Sequence, residues 1–156
     1  MTEAPSHDRE PSTAGHRSSA QPYRILLAED DEALRETIAE ILEVAFDVVL
    51  ANCGRQAVDC LAERQVDVAL FDVQMGELSG LDVVRIVRRE YELELPCLLM
   101  TAQPDETVRA EASRLGVAEL IEKPFAKRRL VDSVATVMER AYGIDEAAAW
   151  FDARRN

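Results

Sequence analysis

The rhythm of apolar and polar positions changes abruptly at Tyr23. Residues 1–21 carry Pro5, Pro11 and Gly15, the serines Ser6, Ser12, Ser18 and Ser19, and no apolar side chain larger than alanine beyond Met1. Such a stretch cannot bury enough surface to offset its ordering entropy, and it reads as a disordered tail. From Tyr23 onward, short apolar runs alternate with longer stretches of helical period. The runs are Arg24–Ala28, Val48–Ala51, Val66–Phe71, Cys97–Met100 and Glu119–Ile121. The helical stretches are Glu32–Val44, Gly54–Arg64, Gly80–Tyr91, Pro104–Leu115 and Lys127–Tyr142. In the first of these Leu34, Ile38, Ile41 and Leu42 recur at core spacing, and Asp31 can cap the N-terminus. In the last, Leu130, Val134, Val137 and Met138 do the same. Val66–Phe71 is almost continuously apolar, as a strand covered on both faces must be. Regular alternation of this kind predicts an α/β fold, a doubly wound five-stranded parallel sheet with crossover helices. One domain over residues 22–142 accounts for it, and residues 143–156 form a short tail with room for one more helix.

The residues just past each run carry the chemistry. Ile25-Leu26-Leu27-Ala28 runs into Glu29-Asp30-Asp31, and Ala69-Leu70-Phe71 runs into Asp72. The fourth run ends at Thr101 and the fifth at Lys123-Pro124-Phe125. In an open parallel sheet these points share one edge, and a crevice opens where the direction of connection reverses. With the strand order 2-1-3-4-5, the first and third strands are neighbours at that crevice. Carboxylates, a hydroxyl and an ammonium therefore converge. Clustered carboxylates repel one another unless a hard cation neutralises them, and Mg²⁺ takes one or two carboxylates plus waters and phosphate oxygens. A central Asp can attack phosphorus, with Lys and Mg²⁺ neutralising the phosphoryl oxygens and Thr donating a hydrogen bond. Taken singly, an Asp after a strand is a helix cap, Lys123 a surface lysine and Thr101 a turn residue. Their joint occurrence at one sheet edge favours the functional reading.

Composition narrows the partners. Thirty Asp and Glu against 18 Lys and Arg leave a formal charge of −12, which repels a phosphate backbone and argues against direct contact with nucleic acid. No run of about 18 apolar residues predicts a membrane span, and the start shows no secretory signal. Cys53, Cys60 and Cys97 form no CxxC pair and read as reduced thiols, which points to the cytoplasm. His7 and His16 could bind metal, but in a polar tail solvation is the better account.

With these residues in place, the chain over about residues 22–142 resembles the receiver domain of two-component response regulators, with a flavodoxin-like (βα)5 fold. The resemblance is carried by I-L-L-A-E-D-D at 25–31, D-V-Q-M-G-E-L-S-G at 72–80, L-L-M-T-A at 98–102 and E-K-P-F at 122–125. It implies that Asp72 accepts a phosphoryl group from a sensor histidine kinase or a histidine phosphotransfer protein. It also implies that Glu29 and Asp30 are the acidic pair, and that Asp30, Asp72 and the main-chain carbonyl of Gln74 ligate Mg²⁺. Thr101 resembles the switch hydroxyl, Lys123 the phosphate-binding lysine, and Lys123–Pro124 the bond expected to be cis. Such a protein is a phosphoacceptor with self-catalysed transfer and slow autodephosphorylation, not an enzyme acting on a separate substrate. Three positions depart from the usual pattern. Gly76 stands where proline is general, which predicts a more flexible loop. Leu120 replaces a frequent aromatic, and Gln74 stands where Asn or a similar small side chain is frequent.

Only 14 residues follow Tyr142, too few for an effector domain, so the expectation is a stand-alone receiver that contacts a downstream protein, pairs with a second copy, or relays phosphate. A receiver fragment of a longer regulator is the alternative. Ile144, Ala148 and Phe151, with Trp150 beside them, predict a short helix packing back on the domain. Lys127-Arg128-Arg129 decorates the start of the last helix. A phosphatase of the haloacid dehalogenase type also uses Asp, Thr, Lys and Mg²⁺, but places its nucleophile after the first strand in a D-x-D pattern. A flavodoxin-like binder needs a glycine- or hydroxyl-rich phosphate loop where Glu29-Asp30-Asp31 stands.

Overall fold

The computed structural model describes residues 22–90 and 94–153. The tail reading for residues 1–21, with His7 and His16, lies outside them. In chain order the elements are β1 (Arg24–Ala28), α1 (Glu32–Leu42), β2 (Asp47–Ala51), α2 (Gly54–Glu63), β3 (Val68–Asp72) and α3 (Gly80–Glu90). They continue with β4 (Cys97–Thr101), α4 (Glu106–Arg114), β5 (Glu119–Glu122), α5 (Lys127–Tyr142) and α6 (Ala149–Ala153). All four strand pairings are parallel, in the order β2-β1-β3-β4-β5.

Period-two alternation divides the strand residues between two cores. Ile25, Leu27, Val68, Leu70, Leu98, Met100 and Ile121 face α1, α5 and α6. Leu26, Ala28, Ala69, Phe71, Cys97 and Leu99 face α2, α3 and α4. With both faces covered, the strands need apolar residues at successive positions, which is why they read as unbroken runs.

Local chemistry sets the helix ends. Asp31 caps α1 by accepting from Leu34 N at 2.9 Å, and Asp105 caps α4 by accepting from Val108 N at 2.9 Å. That second cap places the start of α4 at Glu106, two residues after the Pro104 start read from the sequence. Ser79 and Asp82 exchange hydrogen bonds of 2.9 and 3.1 Å at the start of α3, a reciprocal capping box. β3 begins at Val68 rather than Val66, because the Asp67 carboxylate turns back to accept from Arg24 N at 2.7 Å.

The segment after α5 folds back. Gly143 ends α5 with φ of 65°, and Ala147 and Phe151 are buried in the α1–α5 core. Trp150 stacks on Tyr23 with ring centroids 5.5 Å apart and meets Phe46 edge-on at 6.1 Å. Among the described residues no helix is long and apolar enough to cross a membrane.

Candidate functional site

Strand register builds the site. β1 ends at Ala28, so Glu29 and Asp30 emerge beside the end of β3, where Asp72 is the last residue. Asp72 is level with Met100 on β4, which puts Thr101 one residue farther along the neighbouring strand. Thr101 in turn pairs with Glu122 on β5, and Lys123 comes next. Glu29, Asp72 and Thr101 are buried, whereas Asp30 is exposed.

Carboxylate oxygens of Glu29, Asp30 and Asp72 all lie within 4.8 Å of one another. The Lys123 ammonium bridges two of them, 3.1 Å from Glu29 Oε2 and 3.1 Å from Asp72 Oδ2. Main-chain donors complete the frame: Gln74 N–H reaches Asp72 Oδ1 at 3.2 Å, and Asp31 N–H reaches Glu29 Oε1 at 3.3 Å. The Thr101 hydroxyl accepts from Gln103 N at 3.0 Å. All the residues expected from the sequence therefore meet at one edge, although Thr101 is tied to the loop after β4. The Lys123–Pro124 bond is cis.

Three carboxylates face one ammonium. Burial and the neighbouring Asp72 charge push the Glu29 pKa up to about 7, against the opposing pull of Lys123. Burial disfavours the Lys123 charge, but its hydrogen bonds to Asp72 and Glu29 outweigh that and raise its pKa above the ordinary lysine value. This surplus of hard, negatively charged oxygens suits a divalent cation such as Mg²⁺.

Supporting residues escaped the sequence reading. Arg35 Nη1 donates to the Glu29 main-chain carbonyl at 2.8 Å, holding the acidic loop against α1. Periodicity marks Arg35 only as a polar helix position. Gly80 lies directly against the Asp72 main-chain carbonyl, where any Cβ would collide with it, so its lack of a side chain lets α3 press on the end of β3. Gly76 holds φ of 65°, a conformation closed to proline, so the residue there shapes a left-handed turn rather than simply loosening the loop. Leu120 is half-buried against the α2–α3–α4 core.

Comparison with known proteins agrees with this fold. The transcriptional regulatory protein CpxR of Escherichia coli (strain K12) is 32% identical over 120 residues, covering 76% of this chain and 50% of that protein. The response regulator MprA of Mycolicibacterium vanbaalenii is 34% identical over 132 residues, covering 82% and 57%. The chain thus spans about half the length of these relatives. The non-phosphorylated HemR receiver domain from Leptospira biflexa superimposes with a TM-score of 0.69 at 32% identity, over 74% of this chain and 94% of that one. The chemotaxis protein CheY4 of Vibrio cholerae shares the fold, with a TM-score of 0.70 at 24% identity over 74% and 98%. The profile of the response regulator receiver domain matches residues 25–135, from β1 into α5. On that match, spanning well over half its length, the chain belongs to the response regulator receiver domain family.

Proposed function

We propose that this chain is a phosphorylation-activated receiver in which Asp72 accepts a phosphoryl group from a sensor histidine kinase or a phosphotransfer protein in the cytoplasm. The supporting observation is the cluster of Glu29, Asp30 and Asp72 within 4.8 Å, bridged by Lys123 at 3.1 Å to both Glu29 and Asp72. An Asp72 carboxylate oxygen attacks phosphorus and forms an O–P bond. The N–P bond of the donor phosphohistidine breaks, and its electron pair leaves on the imidazole nitrogen. Lys123 neutralises charge on the phosphoryl oxygens, and Thr101 turns its hydroxyl to donate to one of them. Asp30, Asp72 and the Gln74 carbonyl would hold Mg²⁺, with Glu29 beside them. The ion supplies the charge neutralisation that lets a phosphoryl dianion approach carboxylates.

The output surface is the face of α4, β5 and α5, where a groove of about 630 Å³ is lined in part by Arg109, Leu120, Phe125 and Arg129. Thr101 sits at the head of the loop into α4, so its displacement acts there first. A downstream protein or a second copy of the chain binds on or beside that face. A second reading, the receiver portion of a longer regulator, is favoured by the chain's spanning about half the length of its relatives, CpxR among them.

Incubation with acetyl phosphate, with and without Mg²⁺, tests the assignment. Wild type is expected to gain one phosphoryl group only with Mg²⁺. Equal labelling of Asp72→Ala would overturn it.

A further inference from the structure

Helix α4 is weakly rooted. Only Ala112 is buried along its nine residues, against five buried positions in α3 and seven in α5. Beyond Ala112 and the partly buried Val108 and Leu115, contacts made by α3 hold α4 in place. Arg88 reaches the main chain just past the C-terminal end of α4, with Nε 3.1 Å from Leu115 O and Nη2 3.4 Å from Gly116 O, while its Nη1 is 2.8 Å from Leu95 O ahead of β4. Arg85 Nη2 meets Glu111 Oε1 on α4 itself at 2.7 Å. Its Nη1 is held 2.8 Å from Asp82 Oδ1, and Asp82 is fixed by the Ser79 box. The first turn of α3 lies on Asp72 through Gly80. Arg85 is therefore presented by an element anchored at the phosphoacceptor.

We propose that Arg88 and Arg85 are hinge and latch for α4, and that the Arg85–Glu111 pair sets the balance between the resting and phosphorylated positions of that helix. The inference rests on the proposed function. When the Thr101 hydroxyl turns toward phosphate, it withdraws the acceptor that fixes Gln103 N–H, and the loop into α4 is released. The other end stays hinged, because Arg88 binds the Leu115 and Gly116 main-chain carbonyls there. A helix freed at one end and hinged at the other must swing, and Glu111, one turn before the hinge, parts from Arg85. The pair thus opposes activation. Removing it lowers the penalty of the phosphorylated state, and any ligand preferring that state binds more tightly. Arg85 is a positioning residue: it acts through α4 and touches no reacting atom.

The test compares full-length wild type, Arg85→Ala, Glu111→Gln and the double variant for Mg²⁺-dependent beryllofluoride affinity, with thermal unfolding and amide NMR alongside. Each single variant is expected to bind about two- to five-fold more tightly, the range an ion pair exposed to about a third can supply. The double variant is expected to gain no more than a single one. Resonances of residues 104–116 in unliganded Glu111→Gln should lie between those of free and beryllofluoride-bound wild type. A merely structural pair would lower the unfolding temperature and leave affinity unchanged, which would overturn the latch. Gains that simply add in the double variant would overturn it too. Wild type that fails to bind beryllofluoride would instead overturn the proposed function.

Discussion

Thr101, at the end of β4, and Lys123, just past β5, differ in what their removal takes away. The lysine contributes a charge in direct contact with Glu29 and Asp72, at 3.1 Å from each. The threonine contributes a hydroxyl already occupied by Gln103 N–H. Lys123→Ala leaves two buried carboxylates without their shared cation and should slow labelling of Asp72 by acetyl phosphate at least tenfold. Thr101→Ala should label within about threefold of wild type while the α4 resonances respond less to beryllofluoride. Equal loss of labelling in the two variants would remove this division of roles. Cys97 offers a separate check on the α2–α3–α4 core. It is completely buried, its Sγ lies 3.3 Å from Leu95 O, and burial pushes the thiol up to about 11. Thiolate is the reactive form, so at pH 8 Cys97 should resist an aromatic disulfide reagent until the protein unfolds. Cys53 and Cys60, half-buried, should react first.

At the scale of elements, α3 meets β3 without a spacer. Gly80→Ala would drive a methyl group into the Asp72 main chain, so it should destabilise the fold by about 1–3 kcal/mol. It should also slow phosphorylation, because the backbone that must yield carries the acceptor. Chemical denaturation read beside labelling rate checks both, and an Ala variant as stable and as reactive as wild type would refute the close approach. Contacts of this kind separate what can be read from the sequence from what cannot. The strands were legible because each is buried on both faces, and the site was legible because Glu29, Asp30, Asp72, Thr101 and Lys123 sit at strand ends, where topology alone brings them together. Element ends were less legible, since they depend on single side chains. Asp105 moved the start of α4, and Asp67 moved the start of β3. Contacts between helices left no periodic trace. Arg85, Arg88 and Arg35 occupy polar helix positions like any other, and only packing shows that they reach Glu111, the carbonyls after α4 and the Glu29 main chain.

Across the whole molecule the two ends of the sheet do different work. The carboxylates gather where the strands end, whereas the ring cluster of Tyr23, Phe46, Tyr142, Trp150 and Phe151 gathers where they begin. Tyr142 ties that cluster to the foot of β3 through a 2.6 Å hydrogen bond to Asp67 O. Strands of five residues separate the ends by about 17 Å. A cation that binds only the folded chain must stabilise it, by about 2.7 kcal/mol at a hundredfold excess over its Kd. Mg²⁺ should therefore raise the unfolding temperature of wild type and leave that of Asp30→Asn nearly unchanged. Trp150, the sole tryptophan, reports that unfolding from the opposite end. Its emission should change little when beryllofluoride binds, because the displacement begins at Thr101 and runs into α4, while Trp150 rests on Tyr23 and Phe46. Amide hydrogen exchange with and without beryllofluoride should show changes across residues 104–130 and quiet signals around Trp150. Changes confined to the loops beside Asp72 would move the output surface elsewhere, with α1 the next candidate because Arg35 ties it to the acidic loop.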